Sequence, residues 1–547
     1  MKKQTFILSS TILIASAVIT KLIGALFRVP LANMLGGSGM GYFSGAYGIF
    51  MTIYAVSVTG LPTAVARLVA ENSVCLRFAN IRRIKSAALL FFSATGLAFT
   101  IILLLIAYPF CMFSGESETV PSVLMIAPSI FFCCITSVYR GYYEGLRNMF
   151  PTAVSQIIEG LVKLCVGLAL CVFVIENPEI ICRIFGNYST ISVAAAAAVL
   201  GISISAAAGT LFMIVRDKIC GDGITTEQLR LSADKDNDSR RSIISKLSKI
   251  ALPVAAGALV TNLTSLIDLV TVTRSLDRAV AVNPDYFTLA AKTVDIDQLP
   301  NFMYGSFTGL AITVFNLIPS FTNMFGKGIF PSLSESFASK DIHSVKLCTE
   351  KALLSTAIIA IPSGFGITAL SESILTFLFS SRPLEVTLCV NAMSVLGIAV
   401  IFLCISSTIF SVLQATGRPD LPVKIMLVGV AIKLIGNLVL VPIPEINICG
   451  AAIATLLCYI FIFIASIYHM FKVTSISLKP LFVNLCKLCY CSIMCCVSAK
   501  LTENILINAV NTSFVLLISI LIGVIFYILC GYLLGIFTKS TLKLLIS

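Results

Sequence analysis

The chain reads as an all-α, polytopic membrane protein of about fourteen transmembrane helices: two six-helix lobes related by an internal repeat, plus two C-terminal helices. Three observations predict this. Of 547 residues, 58% are hydrophobic and only 12% charged, against about 25% charged in an ordinary soluble domain. Mean hydropathy is +1.00, and apolar runs of the ~20 residues that a bilayer core demands recur along the whole length. The cations between those runs alternate in density, as they do when successive loops face opposite sides of a membrane.

Taken in order, the first six spans fall at about 6–27, 41–63, 84–108, 121–139, 151–175 and 191–215. The next six fall at 249–272, 302–325, 350–379, 388–412, 421–441 and 447–470, and the last two at 481–499 and 512–536. The N-terminus, MKK followed by FILSSTILIASAVIT, has the look of a signal peptide. Its apolar run continues past Lys21 without a small-x-small cleavage site, so an uncleaved first helix is expected. With the N-terminus on the cytoplasmic side, 27 of the 38 Lys and Arg fall on inner segments, 6 on outer loops and 5 within spans. That bias predicts both termini in the cytoplasm and residence in the cytoplasmic membrane. The net charge of +12 is spread over many short loops, a pattern that reports orientation and not nucleic-acid binding.

Residues 216–248 are polar and charged and fall between spans six and seven, where a linker between two lobes belongs. The expected domains are an N-lobe at 1–215, this cytoplasmic linker, a C-lobe at 249–470 and a helix pair at 471–547. The outer loop 273–301, with Asp277, Asp285, Asp295 and Asp297, reads as a solvated face. A repeat shows at two junctions. YRGYYEGLRNMFP (139–151) precedes a span carrying Lys163, and SVLQATGRPDLP (411–422) precedes a span carrying Lys433. In both, a Gly and an Arg precede a Pro and a Lys follows eleven or twelve residues later, at an offset of about 270. Paired lobes of this kind suit alternating access.

Charges inside spans cost roughly 2.5–3.5 kcal/mol each on insertion scales, so each calls for a cavity, a partner or a snorkelling exit. Lys21 and Arg28 are two helical turns apart on one face of the first helix. Arg28, near the outer end, is read either as lining a cavity or as snorkelling. Lys21, about 15 residues from the inner end, favours a cavity. On the fifth helix Gln156, Glu159 and Lys163 form a polar stripe, with Glu159 and Lys163 at i, i+4 either as a self-neutralising pair or as part of a pathway. The seventh helix carries Thr261, Thr264, Ser265, Asp268 and Ser275, with Arg274 near its outer end, and the eleventh carries Lys433 and Asn437. Lys487, near the inner end of the thirteenth, reads as snorkelling.

Cations outnumber carboxylates within the spans, so a cavity lined by them attracts an anion, phosphate above all. The charge-balancing or ion-coupling role falls to Glu159 and Asp268. Several chemistries are not supported. The glycines at 36–41 (GGSGMG) join two helices and have no strand before them, so no nucleotide fingerprint is present. The only histidines, His343 and His469, sit at predicted helix edges without a triad, so an enzyme is not expected. The 19 cysteines, including the cluster Cys486, Cys489, Cys491, Cys495 and Cys496, lie in apolar runs without His or carboxylate, so neither metal nor disulfides are indicated. No cofactor is called for.

Four stretches carry a resemblance: K-L-I-G-A-L-F-R-V-P-L-A-N (21–33), the G-x-G-Y-F-S-x-A-Y-x-I-F pattern at 39–50, G-L-P-T-A-V-A-R-L-V-A-E (60–71) and Y-R-G-Y-Y-E-G-L-R-N-M-F-P-T-A-V-S-Q-I-I-E (139–159). The chain resembles the stage V sporulation protein B-like family of polysaccharide-biosynthesis membrane proteins. That family lies in the multidrug/oligosaccharidyl-lipid/polysaccharide flippase superfamily, with lipid II flippases of the MurJ type as relatives. The resemblance implies a flippase for an undecaprenyl-diphosphate-linked glycan, with lipid II first in line. It implies a cationic cavity between lobes and a groove for the lipid tail formed by the last two helices. By position it carries substrate-binding roles to Lys21, Arg28 and Arg274, beside which Lys163 and Lys433 stand from the residues themselves. The relatives have an acidic residue early in the second helix, and residues 41–63 have none, so the same gating ion pair is not implied. The implied partners are the lipid-linked oligosaccharide, membrane lipids, a monovalent ion or the membrane potential as driving force, and cell-wall synthases. Two other functions stay open: a cation-coupled multidrug exporter of the same superfamily, and a non-transporting scaffold for wall synthesis.

Overall fold

The structure, a computed structural model, describes residues 6–179, 186, 188–230, 232, 238–291, 294–474, 478–506 and 512–537. Arg183, Lys292 and the side chain of Thr261 lie outside the described residues. No β-strand occurs among those described. The principal helices are α1 (Phe6–Ser57), α2 (Leu61–Val74), α3 (Phe78–Ser114), α4 (Val120–Gly145), α5 (Phe150–Glu176), α6 (Thr190–Cys220) and α7 (Arg240–Val282). A broken stretch of short helices and a π turn then leads into α8 (Leu317–Ala338). There follow α9 (Ile342–Ala369), α10 (Pro383–Ala415), α11 (Asp420–Leu440), α12 (Asn447–Thr474), α13 (Leu478–Leu506) and α14 (Thr512–Leu533). Among the described residues, thirteen helical segments are long and apolar enough to cross a membrane.

The first of those segments, Ala15–Val74, is 60 residues long, about 90 Å at 1.5 Å per residue and three times a bilayer core. It must therefore hold two crossings. Gly36 breaks it at φ 63°, ψ −168°, a region that is nearly closed to residues with a Cβ. The aromatic rings of Phe27 and Phe43 are 6.2 Å apart, whereas a straight helix would separate them by about 24 Å. The chain thus turns back on itself at Gly36, and α1 is a hairpin of two spans. Counted that way, the segments give the fourteen crossings that hydropathy predicts.

The chain divides into two compact units, Met1–Val270 and Thr271–Ser547. Within the first, α3 packs on α4, α4 on α6 and α5 on α6. Within the second, α9 packs on α10, α10 on α12 and α11 on α12, the same neighbour pattern six spans later. The repeat is sharpest at the junctions. α4 and α10 each end in a Schellman turn. In the first, the N–H groups of Arg147 and Asn148 donate to Glu144 O and Tyr143 O; in the second, those of Gly417 and Arg418 donate to Gln414 O and Leu413 O. Arg147 (φ 59°) and Gly417 (φ 79°) are the left-handed residues. Every position is displaced by 270, and so are the starts of α5 and α11 and the pair Lys163 and Lys433.

Side chains bridge neighbouring helices where lipid offers no hydrogen bonds. Thr136 and Thr210 pair at 2.7 Å between α4 and α6, and Ser203 donates to Met125 O at 2.6 Å. In the second unit Thr356 and Thr408 pair at 2.8 Å between α9 and α10. α13 and α14 pack on each other, and Tyr527 Oη donates to Ile358 O of α9 at 2.8 Å. Lys487 does more than snorkel: its Nζ donates to Leu534 O at 3.1 Å, just past the C-terminus of α14, where a cation also meets the favourable end of the helix dipole.

The described part of 216–248 is held against the first unit, although its polarity predicts a solvated connection. Lys85 meets Asp217 at 2.5 Å, Tyr143 Oη donates to Asp217 at 2.8 Å, and Arg82 binds Asp222. Asp238 takes Lys246 at 2.7 Å and Arg77 at 3.6 Å. Lys85 lies over the rings of Tyr139 and Tyr142, and Arg216 over Tyr143. The charges are spent on one another, which composition alone does not reveal. At Asp222, burial pushes the carboxyl up, but the Arg82 hydrogen bond and charge and the Ile224 N–H more than offset it and hold it below the ordinary 3.8.

Two tests follow from these elements. Gly36→Ala should lower the melting temperature of the purified protein, by about 1–3 kcal/mol in stability. Gly24→Ala, which meets nothing within 4 Å, should not; equal behaviour would refute the hairpin. The depressed Asp222 carboxyl contributes stability that is fully present above pH 3.8 and lost as pH falls below it through the folded value. Asp222→Asn should therefore flatten the acid limb of stability against pH, and cost about 0.2–1 kcal/mol at neutral pH.

Candidate cationic site

α1 and α5 meet along a face that their sequences prepare. Gly160 and Gly167 lie two turns apart on α5, and Ile23 and Phe27 one turn apart on α1. A Cβ built on Gly167 would come 2.9 Å from the Phe27 ring, and one built on Gly160 would come 3.7 Å from Ile23 Cβ. A side chain at 167 would crowd the Phe27 ring, whereas a Cβ at 160 would sit at ordinary contact distance from Ile23. Ser16 Oγ donates to Gln156 Oε1 at 3.4 Å, so contacts advance together along both helices and they run parallel, as spans one and five of an alternating bundle must.

On this face the structure gathers three of the expected cations. Lys163 Nζ lies 5.3 Å from the centroid of the Phe27 ring, a cation–π geometry that gains value where water is scarce. Lys163 and Arg28 are half-buried and Lys21 is exposed. The charges of Arg28, Lys21 and Glu159 all act on Lys163, so the group forms one electrostatic unit. From Phe27 a row of rings runs along the second limb of α1. Phe43 and Tyr47 stack at 6.1 Å, Tyr47 and Phe50 lie at 5.9 Å, and Phe50 and Tyr54 at 5.5 Å. Their spacing, 43, 47, 50 and 54, places them on one helical face. That periodicity is a signal the sequence itself carries.

Glu159 does not form an ion pair with Lys163, although both are on one face of α5. Its Oε1 lies 2.8 Å from Nη2 of Arg140 on α4, with the two side chains 24% and 15% exposed. Arg140 Nε donates to Ser155 Oγ at 3.0 Å. Gly209 of α6 presses against the Glu159 carboxylate, where a Cβ would collide with Oε1. The sequence places Arg140 in a loop, because hydropathy ends the fourth span at 139; the helix continues to Gly145 and carries it inside.

Among the remaining expected residues, Asp268 of α7 is buried in the first unit. In the second unit Lys433 is 7% exposed, and Asn437 one turn on donates to Thr271 Oγ1 at 3.0 Å. Arg274 is exposed. The structure thus brings together Lys21, Arg28, Lys163 and Glu159, whereas Arg274 and Lys433 belong to the second unit.

Among the described residues, helices long and apolar enough for fourteen crossings, in two units with a repeated packing pattern, mark a multi-pass membrane protein. Residues 7–337 match the family model described as polysaccharide biosynthesis protein, and the chain belongs to that family. Residues 306–439 also match the MatE model. Stage V sporulation protein B of Bacillus subtilis (strain 168) is 26% identical over 483 residues, 88% of this chain and 86% of the relative. Lipid II flippase MurJ of the same organism is 23% identical over 542 residues, 95% of this chain and 94% of the relative. Among solved structures, lipid II flippase MurJ in an inward closed conformation superposes with a TM-score of 0.67 at 15% identity, covering 96% of this chain and 98% of that one. An inward-facing multidrug resistance transporter of the MATE family gives 0.57 at 11% identity, covering 86% and 95%. The chain is a membrane flippase or transporter.

The α1–α5 register can be checked chemically. Cys at 23 and 160, introduced as Ile23→Cys with Gly160→Cys, has the Cβ separation that a disulfide requires. Mild oxidation should link the two, read by peptide mass spectrometry, while Leu26→Cys with Gly160→Cys stays reduced.

Proposed function

We propose that the protein flips an undecaprenyl-diphosphate-linked glycan, with lipid II as the first substrate to test, across the cytoplasmic membrane by alternating access. The observation that carries this is the shared face of Lys21, Arg28 and Lys163, whose nearby carboxylate, Glu159, is already engaged by Arg140. A net cationic face in an apolar bundle suits a doubly charged headgroup. In this reading Lys21, Arg28, Lys163, Arg274 and Lys433 are the residues that bind the diphosphate. Lys433 stands at the repeat equivalent of Lys163, which supports giving it the same task. Asp268 and Glu159 balance charge or couple to an ion.

The names of the sporulation and lipid II relatives support a lipid-linked cell-wall substrate. The cation distribution supports cytoplasmic termini. A multidrug exporter of the same superfamily handling cationic compounds would instead want carboxylates on that face. Lys21→Ala and Arg28→Ala should each reduce transport to background while leaving membrane insertion intact. The measurement is growth of a strain that depends on this protein, together with leaflet accessibility of lipid II in depleted cells. Full support of growth by both variants would remove the diphosphate role.

A further inference from the structure

Arg140 and Glu159 are a pair whose geometry suits exchange better than permanence. A guanidinium has five N–H donors. Arg140 spends Nε on Ser155, while Nη2 stands 2.8 Å from Glu159 Oε1, buried and without a hydrogen bond of proper geometry. Charge holds these two groups together, with donor capacity left over. Glu159 in turn has the Gly209 backbone behind it and Lys163 one turn further along α5. Both the paired and the clustered cations therefore share a single carboxylate. Tyr54, the end of the aromatic row, lies within the fields of both Arg140 and Glu159.

We propose that Glu159 is a placeholder anion: it holds Arg140 while the site is empty and yields it to the diphosphate of the substrate, making Arg140 a further headgroup contact. This rests on the diphosphate function proposed above. A diphosphate outcompetes this carboxylate because it carries more negative charge and can take two parallel N–H bonds from the guanidinium, whereas Glu159 faces Nη2 through a single oxygen. Arg140 lies one turn nearer the start of α5 than Lys163 does, so it meets a headgroup arriving from the cytoplasmic side first. No covalent step is involved; the exchange is of one ion pair for another.

The placeholder role makes stability and affinity move in opposite directions, which a purely structural pair does not. Full-length protein in detergent would be titrated with farnesyl diphosphate and with inorganic diphosphate by calorimetry, alongside thermal melts. Glu159→Gln should lower the melting temperature yet tighten both probes at least threefold. Arg140→Gln should weaken both at least tenfold, Arg140→Lys by less because it keeps the charge but not the fork, and the double variant should follow Arg140→Gln. Glu159→Gln binding no tighter than wild type, or Arg140→Gln binding as wild type does, would overturn the proposal. An Arg140 effect seen with farnesyl diphosphate alone would also overturn it, since the diphosphate is the group invoked. Failure of the wild type to bind either probe would instead overturn the diphosphate function itself.

Discussion

A lysine midway along an apolar helix is the constraint on which the first unit depends. Lys163 reaches its position because α5 presents glycine at 167, which leaves room for the Phe27 ring of α1 to lie beneath the amine. The same approach puts Lys21 and Arg28 in its field. Three like charges repel one another, and lipid would raise that cost severalfold over water. Such a group persists only where water, aromatic faces or a carboxylate share the load. The Gly36 turn supplies the aromatic part by folding Phe43 back onto Phe27, and α4 supplies the guanidinium that occupies Glu159.

The second unit repeats the framework without repeating every charge. The Schellman turns that end α4 and α10 match bond for bond at a displacement of 270, and Lys163 and Lys433 match with them. Glu159 has Gly429 at the equivalent position, so the second unit lacks that carboxylate and with it the ion pair that α5 forms. Duplication explains the shared geometry.

How much of this was legible in the sequence depended on the length scale of the signal. Span number, the repeat and the shared helix face of Lys21 and Arg28 follow from apolar runs and helical spacing, both local properties; the approach of Lys163 to Phe27 across 136 residues does not. Arg140 was missed because hydropathy stops at 139 whereas the helix does not; tertiary packing by α2 and α6 carries it six residues further. The i, i+4 spacing leaves open whether Glu159 pairs with Lys163; in the structure Lys163 leans towards Phe27 and the carboxylate goes to Arg140 on another helix. The ion pairs of Asp217 with Lys85, Asp222 with Arg82 and Asp238 with Arg77 join segments some 130 to 160 residues apart, and no short window along the chain contains both partners. The family resemblance rested on residues 21–71 and 139–159, which are the residues that build the α1 hairpin and the α4–α5 junction.

The central claim is that the cationic face exists to move a diphosphate headgroup. The most direct measurement is translocation of fluorescent lipid II in proteoliposomes containing only this purified protein, read by reagent access to the outer leaflet. The account predicts leaflet exchange with wild-type protein and its loss in Lys163→Met, which keeps the apolar stem over Phe27 and removes the charge. Exchange at the wild-type rate in Lys163→Met, with the variant folded and inserted, would contradict it.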